Sequence, residues 1–248
     1  MAPNHGDASF HVSHEAGTET GHTLLVGLSQ FGLAGLTAVD YLTTQLELEA
    51  TGHITAEALP SITPFTEGRP RHHTRLYSRA DLDFTVLVGE LFVPVQAADS
   101  FSRAILEWTE ENAVSEVVVL SGIPIAHGPE GHRTYYIATE DYYDDRLDGA
   151  GVDAMGMGFL DGVNASLVER GMTTDLGVGV FVTPVHAQVP DVEAALRLLS
   201  TLKEVHDIAL DTGPLEEFAN EVREHYAQLS ERLETAETHE RPDDRMFM

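Results

Sequence analysis

Between His22 and Gly52 the chain reads as an apolar strand, Thr23-Leu24-Leu25-Val26, then Gly27-Leu28-Ser29-Gln30-Phe31-Gly32-Leu33-Ala34-Gly35, then an amphipathic helix. A glycine-rich turn that feeds a helix leaves backbone N–H groups free at the positive end of the helix dipole, which is the chemistry of phosphate binding. Three well-defined strand–turn–helix sites, two for phosphate and one for a Ser nucleophile, are not matched. Gly35 is followed by Leu36-Thr37 with no Lys, so there is no Walker loop. Position 31 is Phe, where a nucleophile elbow needs Gly. The spacing of Gly27, Gly32 and Gly35 is not that of a dinucleotide fingerprint. The turn therefore reads as close strand–helix packing, which glycine permits because it has no β-carbon, or as a weak anion site.

The remaining groupings carry less chemistry. His11-x-x-His14, His72-His73 and His127 with His132 are the histidine sets that suggest a metal, yet none comes with a helical i, i+4 face or a carboxylate to complete a ligand shell, so no metal site is assigned. Asp141-Tyr142-Tyr143-Asp144-Asp145 with Asp148 lacks the alternating ligands and the twelfth-position Glu of a calcium loop. It reads as a solvated acidic loop whose two tyrosines are available to a partner. No cofactor is implied.

Charge is the strongest compositional signal. Of 248 residues, 41 are Asp or Glu against 14 Lys or Arg, a formal net charge of −27, and Lys203 is the sole lysine. Disorder is not the cause, because 42% of the residues are apolar and their spacing is periodic. The remaining reading is a folded protein adapted to concentrated salt, where a Debye length of about 3 Å screens carboxylate repulsion. Nucleic acid is excluded as a partner, since phosphate neutralisation needs clustered cations. With no Cys there are no disulfides, thiolate metal sites or Cys nucleophile. The first 21 residues hold no apolar signal region, and the longest apolar run, Val117–Ala126, falls far short of the roughly 20 residues of a membrane span. The expectation is a cytoplasmic protein without membrane contact.

The elements that would position the turn follow from periodicity. Residues 1–20 read as a flexible arm, 21–235 as a single α/β domain, and 236–248 as a flexible tail. Strands are predicted at Leu48–Ala56, with Gly52 as a bulge, at Arg75–Tyr77 as a short edge strand, and at Phe84–Val88, Glu116–Leu120, His132–Thr139 and Leu176–Val182. Helices follow the glycine turn to Leu46, with Leu33, Leu36, Val39, Tyr41, Leu42 and Leu46 as the buried stripe. Further helices are predicted over Ala97–Asn112, Gly158–Arg170 and Asp191–Val205, and after Gly213-Pro214. Strands alternating with helices predict a three-layer αβα domain with a largely parallel or mixed sheet.

In this order the pieces resemble the proteasome assembly chaperone family, second-subunit type. The resemblance is carried by Leu25-Val26-Gly27 through Gly35 with its helix, by Leu106-Glu107-Trp108, by Val117–Ile123, and by Gly158–Gly171 continuing to Pro184 and the helix after Pro190. It spans roughly residues 22–230. It implies a nucleoside-phosphorylase-like fold in an archaeal protein, and together with the charge a haloarchaeal one. It also implies a scaffold that assembles or docks onto the proteasome core particle rather than a catalyst, and association with itself or a paralogue. Regulators of that particle often end in hydrophobic–Tyr–any residue, which enters pockets between the α-subunits. Here the last three residues are Met246, Phe247 and Met248, after an almost wholly polar stretch, Glu231–Arg245. Extended from Glu234, such a tail reaches roughly 45 Å. Two other functions stand beside this one: a phosphorylase using the glycine turn with Arg69, Arg71, Arg75 and Arg133, or an oligomeric binding protein with a different client.

Overall fold

The computed structural model describes residues 8–125, 131–186 and 190–223. The chain divides into two compact units, Met1–Leu210 and Asp211–Met248. In the second unit residues 213–223 are helical, entered from Thr212, whose carbonyl accepts from the backbone N–H groups of Leu215 and Glu216.

The first unit is built on a nine-stranded mixed sheet in the order β1-β3-β6-β7-β2-β8-β11-β9-β10. The strands are β1 (Ser9–His14), β2 (Thr23–Leu28), β3 (Glu49–Glu57), β6 (Thr74–Ser78), β7 (Phe84–Gly89), β8 (Glu116–Ile123), β9 (Tyr135–Ala138), β10 (Asp153–Ala154) and β11 (Gly177–Pro184). β4 (Phe65–Thr66) and β5 (Arg69–Pro70) pair in a separate small hairpin. The heart of the sheet is parallel: β2 lies between β7 and β8, and β8 pairs with β11. Those strands read as near-continuous Val and Leu because helices bury both faces. On one face α1 (Ala34–Gln45) and α5 (Val192–His206) pack together, and on the other α2 (Val95–Glu111) packs against α4 (Gly162–Gly171). Phe101, Ala104, Ile105 and Trp108 of α2 are all buried, as their i, i+3, i+4, i+7 spacing predicts. Asp191 caps α5, its Oδ1 accepting from the N–H of Ala194 at 2.9 Å. α3 (Glu140–Tyr142) and the π turn Tyr143–Leu147 follow β9.

Three sequence expectations are corrected. Ser9–His14 is an edge strand, not part of a flexible arm; it pairs antiparallel with β3 over its whole length and buries Phe10 against Phe101, ring centroids 5.0 Å apart. The pairing with β3, between residues 38 to 48 apart in the chain, leaves no local trace in a polar segment. Thr74–Ser78 is interior, between β3 and β7, rather than an edge. The buried face of α1 is Ala34, Gly35, Ala38, Val39, Leu42 and Thr43, whereas Leu33, Leu36, Tyr41 and Leu46 are only half-buried. At its first turns the helix approaches the sheet so closely that Ala34, Gly35 and Ala38 fit there, while Val39 and Leu42 fill the space further along. The bulge expected at Gly52 is present as a register shift between Ala50 and Gly52.

Candidate functional site

The carboxyl ends of β2 and β8 are where an α/β sheet of this kind offers a ligand site. The chain leaves β2 through α1 towards β3 on one side, and continues from β8 towards β9 and β11 on the other, which opens a crevice between the two strands. Gly27, Gly32 and Gly35 sit here. A β-carbon on Gly27 would collide with the Gly35 carbonyl and the Val39 side chain, and one on Gly35 with the Leu120 carbonyl of β8. Gly32 has φ +65°, in the left-handed region, and a β-carbon there would lie 2.8 Å from Cβ of Val185. The glycines thus let α1 lie directly on β2 and β8.

The crevice is filled by a polar network that the sequence reading did not single out. Ser121 Oγ of β8 donates to Gln30 Oε1 at 2.7 Å, Gln30 Nε2 donates to Asn164 Oδ1 of α4 at 3.2 Å, and Asn164 Nδ2 reaches Ser121 Oγ at 3.3 Å. Ser121 and Asn164 are buried. Its one sequence signal is Ser121, a lone hydroxyl in a strand otherwise apolar from Val117 to Leu120. Beside it, Asp191 is bonded by the backbone N–H of His186 at 3.0 Å and faces His186 Nδ1 at 2.9 Å. Burial alone would raise the Asp191 carboxyl, but the backbone bonds from His186 and Ala194 and the His186 ring outweigh it and hold it below the usual range.

The arginines that a phosphate site would need are engaged elsewhere. Arg71 grips Glu90 at 2.7 and 2.9 Å, and buried Arg75 meets the same carboxylate at 2.7 Å and donates to Tyr77 Oη at 2.7 Å. Arg133 pairs with Asp153 at 2.9 Å, and Arg69 lies in the hairpin strand β5. The structure brings none of these four to the glycine turn as a group.

The histidine sets separate as well. His11 is exposed, His14 packs edge-on against Trp108, and His72 stacks on His53 with centroids 3.6 Å apart, while His127 falls outside the described residues. Among the described residues no group of three or more His, Asp or Glu could hold a metal ion, and no helix is long and apolar enough to cross a membrane.

The acidic stretch exposes Asp141, Asp144, Asp145 and Asp148 to solvent as expected, but it is helical rather than a loop and buries one of its tyrosines. Tyr142 is fully buried; a β-carbon on Gly179 would strike its ring, and its hydroxyl lies 2.8 Å from His206 Nε2. Burial, with the Arg146 charge adding to it, pushes the His206 imidazole down to about 4. Arg146 donates Nε–H to Glu116 at 2.9 Å, and Thr23 Oγ1 donates to the same carboxylate at 3.1 Å. Only Tyr143 of the pair reaches the surface. Met246, Phe247 and Met248 lie outside the described residues.

Sequence and fold comparisons agree. The pattern of the PAC2 family matches residues 24–230. No curated protein matches the chain. Among solved structures, Pyrococcus furiosus PbaA, an archaeal homolog of proteasome-assembly chaperone, superposes with a TM-score of 0.80 at 19% identity, over 94% of this chain and 96% of that one. PbaB from the same organism, an archaeal proteasome activator, gives 0.74 at 17% identity, over 90% and 99%. A PAC2 family protein from Streptomyces avermitilis gives 0.65 at 18% identity, over 84% and 95%. At these identities the likeness is one of fold, and it agrees with the mixed sheet and flanking helices described above.

Proposed function

The chain belongs to the PAC2 family, and from that membership we propose that it is a non-catalytic partner of the proteasome core particle. In this reading it acts in assembly of the particle or as an ATP-independent activator. The observation that carries the reading is the family match over residues 24–230, joined to a fold shared with an archaeal homolog of proteasome-assembly chaperone and with an archaeal proteasome activator.

The docking element in this reading is the apolar tip Met246-Phe247-Met248, following the polar stretch Glu231–Arg245. It enters a pocket between α-subunits, with the terminal carboxylate facing a cation. Phe247 stands where a Tyr hydroxyl would add one hydrogen bond, so its docking is weaker by about 0.5–1.5 kcal/mol than a Tyr would give. The body of the protein associates with a second copy or a paralogue, in a cytoplasm of concentrated salt that screens its net charge of −27.

A phosphorylase-like activity is not favoured. The switch-point crevice that would hold its substrate is occupied by Gln30, Ser121 and Asn164, which bond to one another. Native electrophoresis of the full chain with a cognate core particle in concentrated KCl tests the reading. Co-migration with mature particles or with half-assembled α-rings is expected; absence from both overturns it.

A further inference from the structure

Among the described residues β1 pairs with β3 alone, so it is an edge strand, and every second residue of such a strand turns its N–H and C=O outward. Edge strands are commonly blunted by charged side chains, Pro or a bulge. Ser9–His14 holds no Lys, Arg, Asp, Glu or Pro and keeps an unbroken register with β3.

Beside β1 lies a cavity of about 520 Å³. Phe10, His11 and Val12 all line it. Successive side chains of a strand point to opposite faces, so a space that touches all three runs along the strand's edge rather than over one face. Its other wall is one stripe of α2, Ala104, Glu107, Trp108 and Glu111, at i, i+3, i+4 and i+7. The groove therefore lies where a further strand would extend the sheet along α2.

Two observations give the chemistry of its occupant. Trp108 is only 4% exposed, and its Nε1–H has no hydrogen-bond partner; His14 Nε2 is unpartnered too, and both residues line the groove. An indole nitrogen can only donate, so what Trp108 lacks is an acceptor such as a peptide carbonyl. The acidic and basic groups that line the groove among the described residues are Glu15, Glu107 and Glu111, with no Lys or Arg to balance them.

We propose that this groove takes an extended, basic segment of another protein, added to the sheet as a strand beside β1. Main-chain bonds to the outward groups of β1 supply affinity, a carbonyl of the segment meets Trp108, and Glu107 and Glu111 select Lys or Arg side chains. A second copy of this chain is a poor occupant, because pairing β1 with β1 across a two-fold axis brings the two sets of carboxylates together. The proposal goes beyond the proteasome reading and does not depend on it.

The test uses the full chain in concentrated KCl and three capped six-residue peptides, the length of β1: alternating Lys and Val, alternating Glu and Val, and the Lys–Val peptide interrupted by Pro. Binding is read by the fluorescence of Trp108, the sole tryptophan of the chain, and by amide hydrogen exchange in β1. The basic peptide is expected to bind at least tenfold more tightly than the other two, to change the Trp108 emission and to slow exchange in β1. Glu107 and Glu111 are exposed, so Glu107→Lys/Glu111→Lys should stay folded by circular dichroism and lose at least tenfold in affinity for it. The control Glu204→Lys, on α5 across the sheet, should stay within twofold of wild type. No binding of any peptide, equal binding of the acidic and basic peptides, or a folded double variant that binds as wild type overturns the proposal. Slow exchange in β1 without peptide, lost on dilution, would give the edge to a second copy and overturn it as well.

Discussion

Gly35, in the first turn of α1, lies against the carbonyl oxygen of Leu120 in β8 with no room for a β-carbon between them. A single missing methyl group therefore decides how closely this layer of the fold can approach the sheet. Gly35→Ala must push α1 off β8 or shift the strand, and overpacking of this kind costs about 3 kcal/mol. Denaturant unfolding should show a lower midpoint at unchanged slope. A variant as stable as wild type would mean that the helix is free to move away.

The hydrogen bonds among Gln30, Ser121 and Asn164 make a second prediction. Ser121→Ala removes the 2.7 Å bond to Gln30 Oε1 and one acceptor of Asn164 Nδ2, leaving those two amides joined by the longer 3.4 Å bond, at a cost of about 0.5–1.5 kcal/mol. Asn164→Ala costs a similar amount, and because the two residues share partners the double variant should lose less than the sum. Strict additivity in a double-mutant cycle would show that the three side chains do not act as a network.

Much of this arrangement is legible in the sequence, and the exceptions share a cause. The buried strands Thr23–Leu28, Phe84–Gly89 and Glu116–Ile123 announce themselves as Val- and Leu-rich runs, and α2 by its periodic Phe101 and Trp108. The glycines mark the close approach of α1, yet the buried face of that helix differs from the expected stripe, because counting large apolar residues favours Leu36 and Tyr41 where the packing selects Gly35 and Ala38. β1 and the interior place of β6 depend on pairing with β3, which is non-local. The burial of Tyr142 is not legible among its acidic neighbours, because the space it fills is made by Gly179, 37 residues further along the chain.

Acid should weaken the fold through His206. Its imidazole titrates near 4 when folded and near 6.5 when unfolded, so between those values the unfolded chain binds the extra proton. Stability therefore rises with pH through this window and falls by up to about 3 kcal/mol as pH drops from 6.5 to 4. His206→Gln should flatten that slope in pH-dependent unfolding at constant salt. An unchanged slope would place the acid sensitivity on other groups, among them His14, His53 and His73, each also lowered, first by burial.

Salt dependence follows from the net charge of −27. The melting temperature should climb with KCl into the molar range, and dialysis into dilute buffer should unfold the protein as carboxylate repulsion is unscreened. Circular dichroism that stays the same after salt removal would contradict adaptation to concentrated salt.

The most direct test of the proteasome reading is fluorogenic peptide hydrolysis by a cognate core particle in concentrated KCl, with the full chain, with Met246–Met248 deleted, and with Phe247→Tyr. Stimulation that is lost on deletion and strengthened by Phe247→Tyr is the predicted result. Equal stimulation by the full and the deleted chain would contradict docking through the tail, and no stimulation by any form, together with no association with the particle or its α-rings, would contradict the account as a whole.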